Sequence, residues 1–178
     1  MLEPAFSIFE RPSARNKSGA EDDEQHAINR NYDAILFGLG RYGTALAERL
    51  SEAGERILCI DFNPDEVRRW RAAGYEEVYG DACDHEFMES LPLENIKWII
   101  AALPQHEGGL THQDPRMALI EGLGRCGFSG RIAVPAHRDS DVERLRAKGA
   151  DAVLLPFRDA ADRAAKIILK WPADPDAP

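Results

Sequence analysis

Cysteines are few in this sequence, and long apolar runs are missing. The three cysteines, Cys59, Cys83 and Cys126, show no paired spacing, and no secretory signal precedes them. This usage predicts reduced thiols in a cytosolic compartment rather than a disulfide framework. No apolar stretch reaches the roughly 20 residues that a membrane-spanning helix requires. We therefore expect a chain without a membrane span, in which Cys59 is an ordinary core residue.

Positive charge is scarce as well. The 178 residues include 22 lysines and arginines against 31 aspartates and glutamates, a formal net charge of −9. This balance argues against nucleic-acid binding and against adsorption to an anionic membrane, because both need a basic face. With 44% hydrophobic and 30% charged residues, the composition is typical of one globular domain that can bury a core.

Side chains with the spacing of a metal site or a catalytic centre are also missing. His85 lies near Cys83 in the sequence, but two ligands fall short of the three or four that zinc takes. His106 and His112 follow the fourth apolar run, where a catalytic group could lie, and we expect them to be solvated loop residues. The sequence therefore predicts no metal site, no catalytic residue and no enzyme activity.

A glycine-rich turn is the most informative feature that is present. Residues 34–43 combine an apolar run with three glycines in the G-x-G-x-x-G spacing, and a helical pattern follows. A second apolar run, residues 57–60, ends at Asp61. This order of strand, glycine turn, helix, strand and carboxylate is the dinucleotide-binding fingerprint.

Each part of the fingerprint has a physical role. Gly38 permits the tight turn, Gly40 lets a pyrophosphate approach the backbone, and Gly43 allows the helix to pack closely on the sheet. The phosphates would bind free N–H groups at the helix N-terminus, where Arg41 could face them. Asp61 would accept hydrogen bonds from a ribose hydroxyl, which favours NAD-type or adenosine ligands over 2′-phosphorylated ones. The alternative is a fold that binds nothing there and whose glycines serve packing alone.

Strand and helix patterns alternate from residue 32 onward. Six apolar runs separated by helical stretches predict an α/β Rossmann fold, a doubly wound six-stranded parallel sheet in the order 3-2-1-4-5-6. Residues 1–31 are polar and broken by Pro and Gly, which predicts a linker or disordered lead. We divide the chain into this lead, a nucleotide-binding domain at residues 32–170 and a tail at residues 171–178.

Capping signals predict where several helices begin. Asn63, Asp84 and Asp114 are expected N-caps, Ser140–Glu143 matches a capping box, and Asp159 is expected to cap the last helix. On that last helix, the apolar residues expected to face inward are Ala161, Ala164, Ala165, Ile168 and Leu169.

Several segments carry a family resemblance. The motifs are Ile35–Gly43, Ile60–Asp61, Tyr79–Ala82 and Gly149–Pro156. Together they resemble the TrkA N-terminal, or RCK N-terminal, domain, a nucleotide-binding regulator of potassium channels and transporters, over about residues 32–170. The segments most similar to the version fused behind Kef-type monovalent cation:proton antiporters are Ile132–Arg138, Ala147–Asp151 and Pro156–Asp162.

The resemblance implies that an adenine nucleotide, NAD(H) or AMP, lies over the glycine turn. By matching position, the glycines and Arg41 would hold phosphate, Asp61 would hold the adenosine ribose, and Asp81 and Ala82 would border the adenine. Ala102 and Leu103 would form the lip of the fourth strand. The complete candidate cofactor site is Gly38, Leu39, Gly40, Arg41, Tyr42, Gly43, Asp61, Phe62, Asp81, Ala82, Ala102 and Leu103.

The resemblance also implies partners. Such domains pair as homodimers at the cytoplasmic face of the inner membrane, and nucleotide state gates an attached or separate cation transporter or antiporter. We expect this chain to be an excised domain or a stand-alone subunit, with residues 1–31 as a tether. Residues 105–114 depart from the family pattern, which leaves the nicotinamide-side contacts open.

Three functions are thus compared. The leading one is a nucleotide-sensing regulatory domain of potassium or other monovalent cation transport. The second is a small NAD-dependent oxidoreductase or its cofactor-binding half, which is disfavoured because no substrate domain is expected after residue 170. The third is an interaction module with a vestigial site.

Overall fold

Structure is described for residues 31–103 and 114–170 in a computed structural model of the chain. These residues form a six-stranded sheet in the order β3-β2-β1-β4-β5-β6, in which every neighbouring pair is parallel. The strands are β1 (Ala34–Phe37), β2 (Ile57–Asp61), β3 (Glu77–Tyr79), β4 (Trp98–Ala101), β5 (Arg131–Pro135) and β6 (Ala152–Leu154). The fold class and strand order predicted from the sequence are confirmed.

Helices connect the strands, as parallel pairing requires. They are α1 (Arg41–Glu52), α2 (Pro64–Ala72), α3 (His85–Ser90), α4 (Pro115–Arg125), α5 (Asp139–Ala147) and α6 (Pro156–Lys170), and a 3-10 turn at Leu93–Asn95 precedes β4. Except for Asn31, the predicted lead lies outside the described residues, and so does the predicted tail. None of the helices in the described ranges is long and apolar enough to cross a bilayer.

The central strands are buried on both faces, which explains why their sequences are apolar without alternation. In β1, Ile35 and Phe37 belong to the core formed with α3, α4 and α5. Ala34 and Leu36 belong to the core formed with α1 and α2 on the other face. Consequently α1, which follows β1, and α4, which follows β4, lie on opposite faces of the sheet.

Three predicted helix caps are confirmed. Side-chain oxygens of Asn63, Asp84 and Asp114 each accept the backbone N–H of the second residue along the chain, at 3.0 Å. The capping box predicted at Ser140–Glu143 is wrong, because α5 begins at Asp139 and the serine lies inside its first turn. Asp139 and Asp141 lie in that first turn, where the positive end of the helix dipole stabilises their negative charge.

The last helix differs most from the prediction. Since α6 begins at Pro156, Asp159 lies in its first turn and is not its N-cap, and no residue of the helix is buried. Ile168 and Leu169, predicted to face inward, are 70% and 84% exposed. The helix therefore presents its apolar residues outward.

On the side of the sheet that α1 covers, a groove of ≈ 340 Å³ lies beside Leu46 and Leu50 of α1. Its apolar floor consists of Trp98, Ile100, Ala133, Ala152 and Leu154. Ile100 and Ala133 are buried, and the other three floor residues are half-buried. The floor is thus largely shielded from solvent.

Candidate functional site

A crevice opens at the carboxyl edge of the sheet, between the ends of β1 and β4. Because the chain leaves these two neighbouring strands for opposite faces, this is the switch point at which ligands bind in open α/β sheets. The crevice has a volume of ≈ 730 Å³, within the range of small-molecule sites. Its walls come from the turn after β1, the ends of β2, β4 and β5, and the start of α6.

Two glycines shape the turn between β1 and α1. Gly38 has a φ of +97°, and a Cβ atom there would lie 2.9 Å from the carbonyl oxygen of Ala102. At Gly43, a Cβ atom would lie 1.8 Å from the carbonyl oxygen of Gly38. No other residue fits either position without displacement of the backbone, so both glycines let α1 and β4 approach the turn closely.

Gly40 differs from these two glycines. It is the N-cap residue of α1, and a Cβ atom there would meet no protein atom within 4 Å. Its φ of −64° is accessible to any residue. The space next to Gly40 is therefore crevice rather than protein, and a side chain would occupy a ligand's volume instead of straining the fold.

The N-terminus of α1 has the properties of an anion site. No side chain caps it, and its first turn contains no acidic residue. Uncapped N–H groups and the helix dipole favour a negatively charged group at this end. Arg41 is the first helical residue, is exposed and lines the same crevice, so it adds a guanidinium that can pair with phosphate oxygens.

Asp61 lies at the end of β2 and is 7% exposed. Its Oδ2 accepts a hydrogen bond from the backbone N–H of Leu39, and its Oδ1 accepts one from the N–H of Asn63 at 2.7 Å. The carboxylate thus connects the glycine turn to the start of α2. Each oxygen has a further lone pair, so Asp61 can hold this connection and still accept a hydrogen bond from the crevice.

Other predicted site residues surround this centre. Tyr42, Phe62, Ala102 and Leu103 line the crevice, and Phe62 is 57% exposed. Burial and the nearby charge of Asp159 raise the pKa of the Tyr42 phenol, so it stays neutral near pH 7. The lining of the crevice therefore includes aromatic and apolar side chains besides Arg41 and Asp61.

Four predicted residues, Leu39, Gly43, Asp81 and Ala82, do not line the crevice. Gly43 is buried within α1. Leu39 is 1% exposed and contributes its N–H to Asp61. Asp81 and Ala82 follow β3, where the Asp81 carboxylate accepts the N–H of Cys83 at 2.8 Å and shapes the local turn. The structure therefore brings together the glycine turn, the end of β2 and the end of β4. It places Asp81 and Ala82 outside the lining of the crevice.

The far end of the crevice was missed by the sequence reasoning. Pro135 and His137, at the end of β5, and Pro156, Phe157 and Ala160, at the start of α6, complete the lining. The sequence did contain a signal for these residues. They lie at or just after the ends of β5 and β6, and the carboxyl ends of parallel strands share one edge of the sheet.

A buried ion-pair network supports this end. Arg116 is fully buried, and its guanidinium donates to the Pro135 carbonyl at 2.8 Å and to both carboxylate oxygens of Asp114. Asp141 lies 3.7 Å from Arg116 and 3.1 Å from Arg144. Burial raises the pKa of Asp114, but the hydrogen bonds and charge of Arg116 outweigh it, so that the pKa is lowered overall.

Side chains suited to metal binding do not converge in the described ranges. No group of three or more His, Cys, Asp and Glu residues there could hold a metal ion. His85 contacts the guanidinium of Arg125, and burial together with Asp81 raises the pKa of the Cys83 thiol, so this cysteine is not activated. Burial also raises the pKa of Cys59, to about 12. His106 and His112 lie outside the described residues.

Comparison with known proteins identifies relatives of this chain. The family model of the TrkA-N domain matches residues 34–156. YbaL of Escherichia coli (strain K12), described as a candidate cation/proton antiporter, is 25% identical over 97% of this chain and 31% of its own length. The Ktr system potassium uptake protein C of Bacillus subtilis (strain 168) is 28% identical over 75% of this chain and 58% of its own. The chain thus spans about a third and about three fifths of these two relatives.

Solved structures show the same fold. The TrkA-N domain of the inner membrane protein ybaL from Escherichia coli has a TM-score of 0.65 at 24% identity, covering 79% of this chain and 99% of that one. The Shewanella denitrificans Kef CTD in AMP bound form has a TM-score of 0.60 at 18% identity, covering 78% and 81%. The GsuK channel bound to NAD has a TM-score of 0.59 at 20% identity, covering 71% and 22%.

Proposed function

The chain belongs to the TrkA-N domain family, and we propose that it is a regulatory domain that binds an adenine nucleotide, NAD(H) or AMP, and thereby controls transport of potassium or another monovalent cation. One observation carries this proposal. The uncapped N-terminus of α1 and the carboxylate of Asp61 border the same crevice, and Gly40 leaves the space between them free. This is the arrangement that a phosphate next to a ribose requires.

In the proposed complex, the phosphate binds the first N–H groups of α1 and the guanidinium of Arg41. The ribose hydroxyls donate to the remaining lone pairs of Asp61, and the exposed ring of Phe62 borders the adenosine. Glu66 also lines the Asp61 end of the crevice. Two carboxylates there repel a 2′-phosphate, so NAD(H) is favoured over NADP(H).

The relatives support this assignment. The Kef structure is an AMP-bound form, the GsuK channel structure is bound to NAD, and the Ktr relative is a potassium uptake protein. Because the chain corresponds to part of such proteins, the transporter is proposed as a partner, fused or separate. The domain would act at the cytoplasmic face of the inner membrane.

We further propose that regulation proceeds through a homodimer and without turnover of the nucleotide. The exposed apolar residues of α6, among them Ile168 and Leu169, support pairing, since they offer apolar surface to a second copy. A ligand that prefers one arrangement of the pair tenfold shifts the equilibrium by about 1.4 kcal/mol. A few charge-assisted phosphate hydrogen bonds made in only one arrangement would supply that difference.

The substitution Gly40→Ala tests the nucleotide site. A methyl group at Gly40 meets no protein atom, so the ligand-free protein should unfold at the wild-type temperature, while affinity for AMP and NADH falls at least tenfold. Gly124→Ala is the matched control, since its Cβ is equally free of contacts and lies in α4, away from the crevice. Binding is measured by calorimetry and folding by thermal unfolding.

Two results would contradict the proposal. If wild-type protein binds neither AMP nor NADH, or if Gly40→Ala binds them as well as wild type does, the site is wrong. Steady oxidation of NADH with a small carbonyl compound would instead favour the oxidoreductase.

A further inference from the structure

The crevice continues beyond the groups that a mononucleotide would occupy. With its ribose at Asp61 and its phosphate on α1, AMP would extend from the end of β2 only to the turn after β1. The lining continues past β4 to the end of β5 and the start of α6. Three strand spacings separate β2 from β5, roughly 14 Å at about 4.8 Å each.

The far end has a different chemical character from the phosphate end. Its lining residues are Pro135, His137, Pro156, Phe157 and Ala160, and none of these is a lysine, an arginine or a carboxylate. The rings of His137 and Phe157 contact each other edge to face, with centroids 5.4 Å apart and an interplanar angle of 73°. Phe157 remains 71% exposed, so much of its ring is available to a ligand in the crevice.

We infer that His137 and Phe157 form a second ring site, which selects dinucleotides such as NAD(H) over mononucleotides. The inference rests on the proposed function, because it requires the adenosine half at Asp61. A flat ring can stack on the exposed Phe157 side chain, and an imidazole nitrogen of His137 can form a hydrogen bond to an amide substituent on that ring. Arg116, which donates to the Pro135 carbonyl, holds the strand end from which His137 projects.

Binding of three ligands distinguishes the contributions of the parts of this site. AMP lacks everything beyond the first phosphate, ADP-ribose has the second phosphate and ribose but no second ring, and NADH has the complete dinucleotide. We expect Phe157→Ala to weaken NADH binding about fivefold or more, the order of effect of one aromatic stacking contact, and to leave AMP and ADP-ribose within twofold of wild type. His137→Ala should weaken NADH binding in the same selective way.

The matched control is Phe62→Ala, which removes an exposed aromatic ring at the opposite end of the same crevice. It should weaken AMP, ADP-ribose and NADH by similar factors. Since Phe157 is largely exposed, Phe157→Ala should unfold at the wild-type temperature, which keeps a loss of affinity distinct from a loss of folding.

The outcomes distinguish this inference from the proposed function. If wild-type protein binds AMP and NADH but Phe157→Ala changes neither, the ring site is wrong and the nucleotide site stands. If Phe157→Ala weakens ADP-ribose as much as NADH, the residue acts on the second ribose or on crevice shape, and the ring assignment fails. If wild-type protein binds none of the three ligands, the proposed function itself fails.

Discussion

Asp61 is expected to stabilise the domain even without a ligand. Its carboxylate accepts hydrogen bonds from the N–H groups of Leu39 and Asn63, and the side chain is 7% exposed. Replacement by asparagine keeps the size of the side chain but converts one oxygen to an NH2 group. Whichever way the amide is turned, one of the two backbone donors then faces another donor and loses its acceptor.

The magnitude follows from the burial of that donor. A buried polar group left without a partner costs about 1–3 kcal/mol. In a protein of this size, each kcal/mol shifts the unfolding temperature by about 2–4 °C, so Asp61→Asn should lower it by roughly 2–12 °C in the ligand-free protein. Asp65→Asn is the control, because Asp65 is 71% exposed and pairs with an exposed Arg68; its effect should stay within about 0.5 kcal/mol.

Ligand affinity is the second measurement on Asp61. Asp61→Arg removes a ribose acceptor and introduces a cation, so NADH binding should weaken while NADPH binding weakens less or improves. An unchanged unfolding temperature for Asp61→Asn would refute the hydrogen-bonding argument. An NADH affinity within twofold of wild type for Asp61→Arg would refute the placement of the ribose.

Two further predictions concern packing and charge. Gly43→Ala brings a Cβ atom to 1.8 Å from the Gly38 carbonyl oxygen, so the ligand-free protein should lose several kcal/mol, about 3 or more, in denaturant unfolding, and a wild-type midpoint would contradict the close approach of α1. Arg116→Met leaves Asp114 and Asp141 without a buried cation, which should cost about 3–5 kcal/mol near pH 7. Because Arg116 lowers the pKa of Asp114 in the folded state, its contribution is present above the unfolded value of about 3.9 and is lost as pH falls below it. Arg116→Met should therefore have a flatter acid dependence of stability than wild type, and an equally steep one would rule out the pairing.

Much of the fold could be predicted because its signals are local in the sequence. Short apolar runs identified the strands. Asn63, Asp84 and Asp114 identified helix starts, since a cap acts on N–H groups two or three residues away. The glycine turn was recognisable for the same reason. Its spacing reflects a strand, a turn and a helix that are contiguous in the chain. The strand order was predicted because the dinucleotide-binding fold that carries this turn has the order 3-2-1-4-5-6.

What only the tertiary structure decided involves residues distant in sequence. Arginine is a residue type that is mostly exposed, yet Arg116 is buried because Asp114, Asp141 and the Pro135 carbonyl meet around it. The outward face of α6 likewise depends on where the helix leaves the sheet, which its amphipathic pattern does not specify. His137 and Phe157, 20 positions apart in sequence, meet only because β5 and β6 are neighbours that end at one edge. Local chemistry thus determined which elements form, whereas their packing determined which side chains share the crevice, because such contacts exist only after the sheet has assembled.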